Sequence, residues 1–200
     1  MLVAVRQRLV RSQVDDMGYV YLYTGTGAGK TTNALGLALR SIGHKRKVVI
    51  IQFLKWRKDI GEYKIRKMLE PYYEIYQFGR PAWLGKKRKI VSFAGQKFKL
   101  ESFTEKDKEL AKKALEFAKK ILKEKKPHLL VLDEINLALH WKLLNIKDVL
   151  ELLDNLPKRT DVVLTGRYAP KELIERADFV NIIKDVKAPK KFKLTKGIQY

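Results

Sequence analysis

The sequence predicts an α/β fold in which a mostly parallel central sheet is flanked by helices. Three observations lead there. Short β-rich apolar runs alternate with helical patterns from Tyr19 to Ile183, with no internal repeat, the arrangement of right-handed βαβ units. Val48–Phe53 and Leu129–Leu132 are apolar almost throughout, so both faces of these strands are covered, as in a parallel sheet. A glycine-rich turn separates the first strand from the first helix.

The elements follow in order. Tyr19–Tyr23 is a strand, broken by Gly25-Thr26-Gly27-Ala28-Gly29. Lys30 to Ile42 carries Ala34, Leu35, Leu37, Ala38 and Ile42 at helical spacing and stops at Gly43. Val48–Phe53 is the second strand, Ile60–Leu69 a helix ended by Pro71, and Tyr72–Phe78 a third strand. Residues 79–103, with three glycines, Pro81 and the run Lys86-Lys87-Arg88-Lys89, resist assignment. Thr104 opens the clearest helix, with Asp107 completing a box-like cap, and Pro127 closes that region. His128–Leu132, Asp161–Thr165 and Phe179–Ile183 read as strands; Ile146–Leu153 and Pro170–Ala177 read as helices. In such a sheet the strand carboxyl ends share one ligand site. The loops after residues 23, 53, 78, 132 and 165 are expected to face it.

Composition narrows the function. The chain has 200 residues, a length typical of one domain. Residues 1–17 read as a basic N-terminal arm and 18–200 as a single domain. There is no cysteine, which excludes disulfides, thiolate metal sites and cysteine catalysis. No apolar run approaches the roughly 18 residues of a membrane helix, and Met1–Val5, interrupted by arginines at 6, 8 and 11, is too short to be expected to act as an export signal. A cytoplasmic location and no membrane partner are expected. The net charge is +21, a field that attracts polyanions and phosphorylated ligands. Lysine and glutamate enrichment also fits a thermophile.

The turn carries the chemistry. Thr24-Gly25-Thr26-Gly27-Ala28-Gly29-Lys30-Thr31-Thr32 is nearly the G-x-x-x-x-G-K-[ST] phosphate loop, with threonine at its first position. It predicts a P-loop nucleotide-binding (RecA-like) fold. Glycines let backbone N–H groups point at phosphate oxygens. Lys30 adds an ammonium, Thr31 offers a hydroxyl to Mg²⁺, and the helix N-terminus adds partial positive charge. Asp133-Glu134, at the end of a buried strand, fits the acidic partner that holds Mg²⁺ directly or through water. Arg167 ends another strand, where it could clamp a phosphate.

Together these segments resemble the P-loop class of ATP:cob(I)alamin (corrinoid) adenosyltransferases. The family loop reads T-G-x-G-x-G-K-T-T, as Thr24–Thr32 does. The likeness continues through Leu39-Arg40-Ser41-Ile42-Gly43-His44, Gln52-Phe53-Leu54-Lys55, Leu132-Asp133-Glu134-Ile135, Leu164-Thr165-Gly166-Arg167 and the terminal Gly197-Ile198-Gln199-Tyr200. The resemblance implies transfer of the 5′-deoxyadenosyl group of ATP to Co(I) of a corrinoid, with release of triphosphate. It implies ATP reversed relative to ordinary P-loop enzymes, and Arg40, Glu134 and Arg167 as nucleotide contacts with Asp133 beside them. It also implies a homodimer, an electron donor for Co(II), and aromatic side chains that remove the lower ligand of cobalt. Trp83 and Phe78 are the candidates here.

A nucleic-acid-stimulated P-loop ATPase is the alternative. Ile75 to Leu100 contains seven basic residues and no acid, interleaved with aromatics. No separate binding module accompanies it, so no specific nucleic-acid partner is expected. A small-molecule kinase fits the loop and the size, but no lid segment is evident.

Overall fold

The computed structural model describes residues 18–85, 87–93, 95–189 and 192–199. The basic arm assigned to residues 1–17 lies outside the described residues, as does Tyr200. Six strands form one parallel sheet: β1 (Val20–Thr24), β2 (Val48–Phe53), β3 (Tyr73–Phe78), β7 (Leu129–Asp133), β8 (Asp161–Thr165) and β9 (Phe179–Ile182). Their order is β3-β2-β7-β8-β1-β9, with every pairing parallel. All the carboxyl ends therefore emerge on one edge.

The period of two along each strand divides the core into two layers. Val49, Ile51, Phe53, Leu130, Leu132, Val162 and Leu164 face one side. There they meet Ala111, Ala114, Leu115, Ala118 and Ile121 of α3 (Glu105–Glu124). The helices α4 (Ile135–His140), α5 (Ile146–Asp154) and α6 (Lys171–Arg176) contribute Leu139, Val149, Leu152 and Leu173 to the same side. Val48, Ile50, Leu129, Val131 and Val163 face the other side, where Ala34 and Ala38 of α1 (Lys30–Gly43) pack. The small alanines let helix and sheet approach closely.

The region expected to be one helix over Ile60–Leu69 is shorter. It forms a single turn, α2 (Gly61–Lys64), followed by a 3-10 turn over Ile65–Lys67. Pro71 has no N–H to close a helical bond to Lys67. Ile65 and Met68 point outward instead of extending an apolar stripe.

Residues 79–103 hold a second sheet that sequence patterning did not resolve. Strands β4 (Trp83–Gly85), β5 (Lys89–Phe93) and β6 (Gln96–Ser102) lie in the order β4-β6-β5. β5 and β6 are antiparallel, with Phe93 opposite Gln96. Gly95 in the connection has φ +77°, a value that L side chains rarely adopt.

A part-buried ion cluster ties this small sheet to α3. Arg80 Nε donates to both carboxylate oxygens of Asp107, at 2.9 and 3.1 Å. Its Nη1 pairs with Glu101 and its Nη2 donates to the Ser102 carbonyl at 3.0 Å. Asp107 also accepts from the Thr104 N–H at 2.9 Å and the Thr104 hydroxyl at 2.8 Å, as the helix cap anticipated from sequence. One carboxylate thus caps α3 and anchors the small sheet. Because Asp107 is buried, Asp107→Ala leaves Arg80 with Glu101 as its remaining ion-pair partner and opens the cap of α3. The expected cost is about 3 kcal/mol, read as a lower midpoint in urea unfolding with an unchanged slope.

Candidate active site

The phosphate loop occupies the carboxyl end of β1. Gly25 and Gly29 both have φ +103°, a backbone that L side chains adopt only with strain. The loop is roofed by the segment after β9. Gly27 N donates to the Ile183 carbonyl at 2.9 Å and Ile183 N to the Thr24 carbonyl at 2.8 Å. A Cβ at Gly25 would stand 2.3 Å from the Ile183 carbonyl oxygen, so glycine is required for contact as well as conformation. Ala28 N donates to Asp185 Oδ1 at 3.1 Å. The Lys30 ammonium folds back onto the Gly27 carbonyl.

Asp133 is the hub of the site and is wholly buried. Its Oδ1 accepts from the Thr31 hydroxyl at 2.8 Å and the Thr165 hydroxyl at 2.6 Å. Its Oδ2 accepts from Lys55 Nζ at 2.7 Å and Gln52 Nε2 at 3.0 Å. Lys55 Nζ also lies 3.4 Å from Thr31 Oγ1. The next residue, Glu134, has φ 67°, and its N–H donates to Thr165 Oγ1 at 3.0 Å. That left-handed turn starts α4, a helix absent from the sequence reading. Asn136, in its first turn, donates from Nδ2 to the Gly166 carbonyl at 3.1 Å and the Tyr23 carbonyl at 3.3 Å. It holds the ends of β1 and β8 together.

Electrostatics separates the two carboxylates. Burial alone would raise the Asp133 pKa, but Lys55 and the hydroxyl donors outweigh it and hold the group below its ordinary value. Burial alone would lower Lys55, and Asp133 instead raises it. Glu134 lacks such a partner. Burial first, and the adjacent Asp133 charge second, push its pKa up. Its Oε2 is sealed from solvent with no hydrogen-bond partner among the described residues. Burial, followed by the nearby Arg167 charge, lowers the Lys30 pKa. Arg167 is exposed and its charge acts on Lys30, while Glu134, Asp185 and Asp133 partly offset the loss at the lysine.

Next to this hub opens a cavity of about 300 Å³. Trp56, Trp83 and Trp141 line it, together with Phe53, Lys55 and Glu134; these are all three tryptophans of the chain. Trp83 meets Trp56 at 5.2 Å and Phe98 at 5.1 Å between ring centroids, both edge-to-face. It remains 42% exposed.

The structure brings together Thr24–Thr32, Asp133, Glu134 and Arg167, and places Trp83 on the adjoining cavity. Two expected residues lie elsewhere. Arg40 is ten residues along α1, about 15 Å from Lys30 at 1.5 Å per residue. It lines a surface hollow with Ser41, His44, Arg46 and His128, where β2 and β7 begin. The direction of α1 therefore keeps Arg40 from adjoining the phosphate loop of its own chain. Phe78 packs at 5.5 Å against Phe117 of α3 and belongs to the rim of the core, not to the cavity wall. Lys55, Gln52, Thr165, Asn136 and Asp185 had no assigned role. Gln52 carried a signal: it is the only polar residue in an otherwise apolar, buried strand.

Comparison with known proteins settles the family. The sequence pattern of the ATP:corrinoid adenosyltransferase family BtuR/CobO/CobP matches residues 16–200. The chain belongs to this family. A corrinoid adenosyltransferase from Sinorhizobium sp is 30% identical over 98% of this chain and 87% of its own length. One from Escherichia coli K12 is 30% identical over 92% and 84%, and one from Salmonella typhimurium 28% identical over 91% and 88%. The chain is accordingly a transferase of cobalamin synthesis with ATP and a corrinoid as substrates. No described helix is long and apolar enough to cross a membrane.

The raised Glu134 pKa has a consequence for stability. The folded protein binds this proton more tightly than the unfolded chain does. Ionised Glu134 therefore opposes folding above its folded pKa, and the effect disappears below its unfolded value. Glu134→Gln is expected to melt higher than the parent protein at neutral pH. The difference should close as the pH falls to about 4, each kcal/mol corresponding to roughly 2–4 °C. Thermal unfolding followed by circular dichroism across that range checks it.

Proposed function

We propose that the chain moves the 5′-deoxyadenosyl group of ATP to Co(I) of a corrinoid and releases triphosphate intact. The observation that carries this reading is the junction at Asp133, Lys55 and Glu134, with a phosphate loop on one side and a tryptophan-lined cavity on the other. The electron pair of Co(I) forms the Co–C5′ bond, the C5′–O bond breaks, and its electron pair leaves with the triphosphate. No water needs activation. The protein has to hold C5′ against cobalt and stabilise the charge on the leaving group.

The loop N–H groups, Lys30 and Arg167 bind the triphosphate, with ATP in the reversed orientation characteristic of the family. The donor set fits Mg²⁺. Thr31 donates its hydroxyl hydrogen to Asp133 and accepts only a long 3.4 Å contact from Lys55, and Glu134 Oε2 has no partner among the described residues. Among the described residues no group of three acidic or histidine side chains could cage an ion, so phosphate oxygens would complete the coordination. Bound there, Mg²⁺ would neutralise charge on the phosphates. The corrin ring presents one face to the tryptophan-lined cavity, which at about 300 Å³ is too small to enclose it. A homodimer, a cytoplasmic location, a separate electron donor for Co(II), and a single domain from residue 18 onward complete the reading.

The test is incubation with ATP, Mg²⁺ and chemically reduced corrinoid, following the cobalt spectrum and the nucleotide products. The expected products are an adenosylated corrinoid and triphosphate. ADP and phosphate, with turnover stimulated by DNA or RNA, would show a nucleic-acid-dependent ATPase instead. Lys30→Ala should lower turnover about a hundredfold or more, as for loss of a principal charge-stabilising group.

Trp83 provides a second test. An apolar ring on the lower face of the corrin excludes an axial ligand, which eases reduction of Co(II). Trp83→Ala is expected to lose most activity when the assay starts from Co(II) with a protein reductant. It should retain most activity when Co(I) is supplied. An equal loss in both assays would make Trp83 a packing residue.

A further inference from the structure

Lys55 occupies an unusual position for a cation. Its Nζ lies 2.7 Å from Asp133 Oδ2 and 3.4 Å from Thr31 Oγ1. Asp133 and Thr31 are two of the groups that the proposed Mg²⁺ site would use. The ammonium thus stands where the metal's charge would be needed. Without it, a wholly buried carboxylate would keep only neutral donors, a strongly unfavourable state.

The backbone holds Lys55 there deliberately. Leu54 has φ 60°, so the chain turns sharply just beyond β2 and aims the next side chain into the site. Gly79 makes room for that turn. A Cβ at Gly79 would come within 2.5 Å of Leu54 C and 2.6 Å of Lys55 N. Leu54 N also donates to the Phe78 carbonyl at 3.0 Å. The Lys55 backbone is therefore fixed. Its side chain, 27% exposed, lines the tryptophan cavity as well as touching the hub. A flexible four-carbon stem can redirect the ammonium without moving the backbone.

We propose that Lys55 is a second phosphate-binding lysine, which holds the metal's place in the nucleotide-free site and turns to the triphosphate when metal and ATP enter. This rests on the metal-triphosphate reading above. Two cations on one carboxylate repel each other, and the nearest new anion is the triphosphate at the cavity mouth. Lys30 and Lys55 then approach it from opposite sides, one from the loop and one from β2. A resident ammonium also keeps the hub assembled between turnovers and discourages divalent ions from binding without nucleotide.

The experiment uses the full chain, with Mn²⁺ as the probe followed by electron paramagnetic resonance and ATP affinity followed by calorimetry. Lys55→Met removes the charge and keeps the length; Lys55→Gln keeps a donor to Asp133 and serves if the first variant does not fold. Without ATP, the neutral variants are expected to bind Mn²⁺ about tenfold or more tighter than the parent protein. Their ATP affinity in the presence of Mn²⁺ should fall by about the same factor. Lys55→Arg, which retains the charge, should keep Mn²⁺ binding without ATP as weak as in the parent. Unchanged Mn²⁺ affinity in the neutral variants overturns the placeholder role. Unchanged ATP affinity overturns the phosphate role. Failure of the parent protein to bind Mn²⁺ even with ATP would instead sink the metal reading itself, and is seen without any variant.

Discussion

The site depends on keeping one carboxylate ionised inside the protein. Asp133 stands at the end of a strand covered on both faces, where an isolated charge would be prohibitive. Four donors make it tolerable: two hydroxyls, an amide and an ammonium, contributed by α1, β8, β2 and the turn after β2. Each comes from a different part of the chain, so the carboxylate also fixes their relative positions. Thr31 is aligned within the phosphate loop because Asp133 accepts its proton. Lys55 is drawn inward by the same charge. The order β2-β7-β8-β1 in the sheet is what allows these groups to converge, since it brings adjacent strand ends around β7.

Much of this was legible in the sequence, for physical reasons. The uninterrupted apolar runs of β2 and β7 marked the centre of the sheet, since only a doubly covered strand tolerates them. The glycine pattern before Lys30 has few uses other than curling N–H groups around an anion. Thr104 and Asp107 announced the start of α3 because that pairing satisfies helix N-terminal donors. The failures have equally specific causes. Between Gly79 and Phe103, lysines and glycines occupy short strands half exposed to water, and no alternation marks them. The stabilising partner of that sheet is Arg80–Asp107, a contact 27 residues apart. The motif fixed the order of Arg40 along the chain and said nothing of direction, and α1 carries its last turn away from the loop. Lys55 was missed because its importance comes from the left-handed turn at Leu54, a conformation its neighbours do not advertise.

The positive charge also looks different once located. On the proposed reading Lys30, Lys55 and Arg167 serve the triphosphate, so part of the excess charge would be local chemistry. Arg40, His44, Arg46 and His128 lie at the opposite end of the sheet, away from that space. A net field of this sign draws ATP toward the protein from a distance and weakens as salt is added. It does not by itself select one anion. Selection falls to short-range geometry at the loop and to the rings of the neighbouring cavity.

The Arg80 guanidinium, three residues before β4, bonds to the carbonyl of Ser102, the last residue of β6. The stretch between them is consequently a cassette closed at its base. The entropy of closing such a stretch rises slowly with its length, and the central frame meets it at the clasp and at the Trp83–Trp56 contact. Its interior can lengthen, shorten or exchange its rings while Asp107 keeps the seam shut. Preference for the bulky acceptor can drift in this way while the grip on the nucleotide, built on other strands, stays as it is.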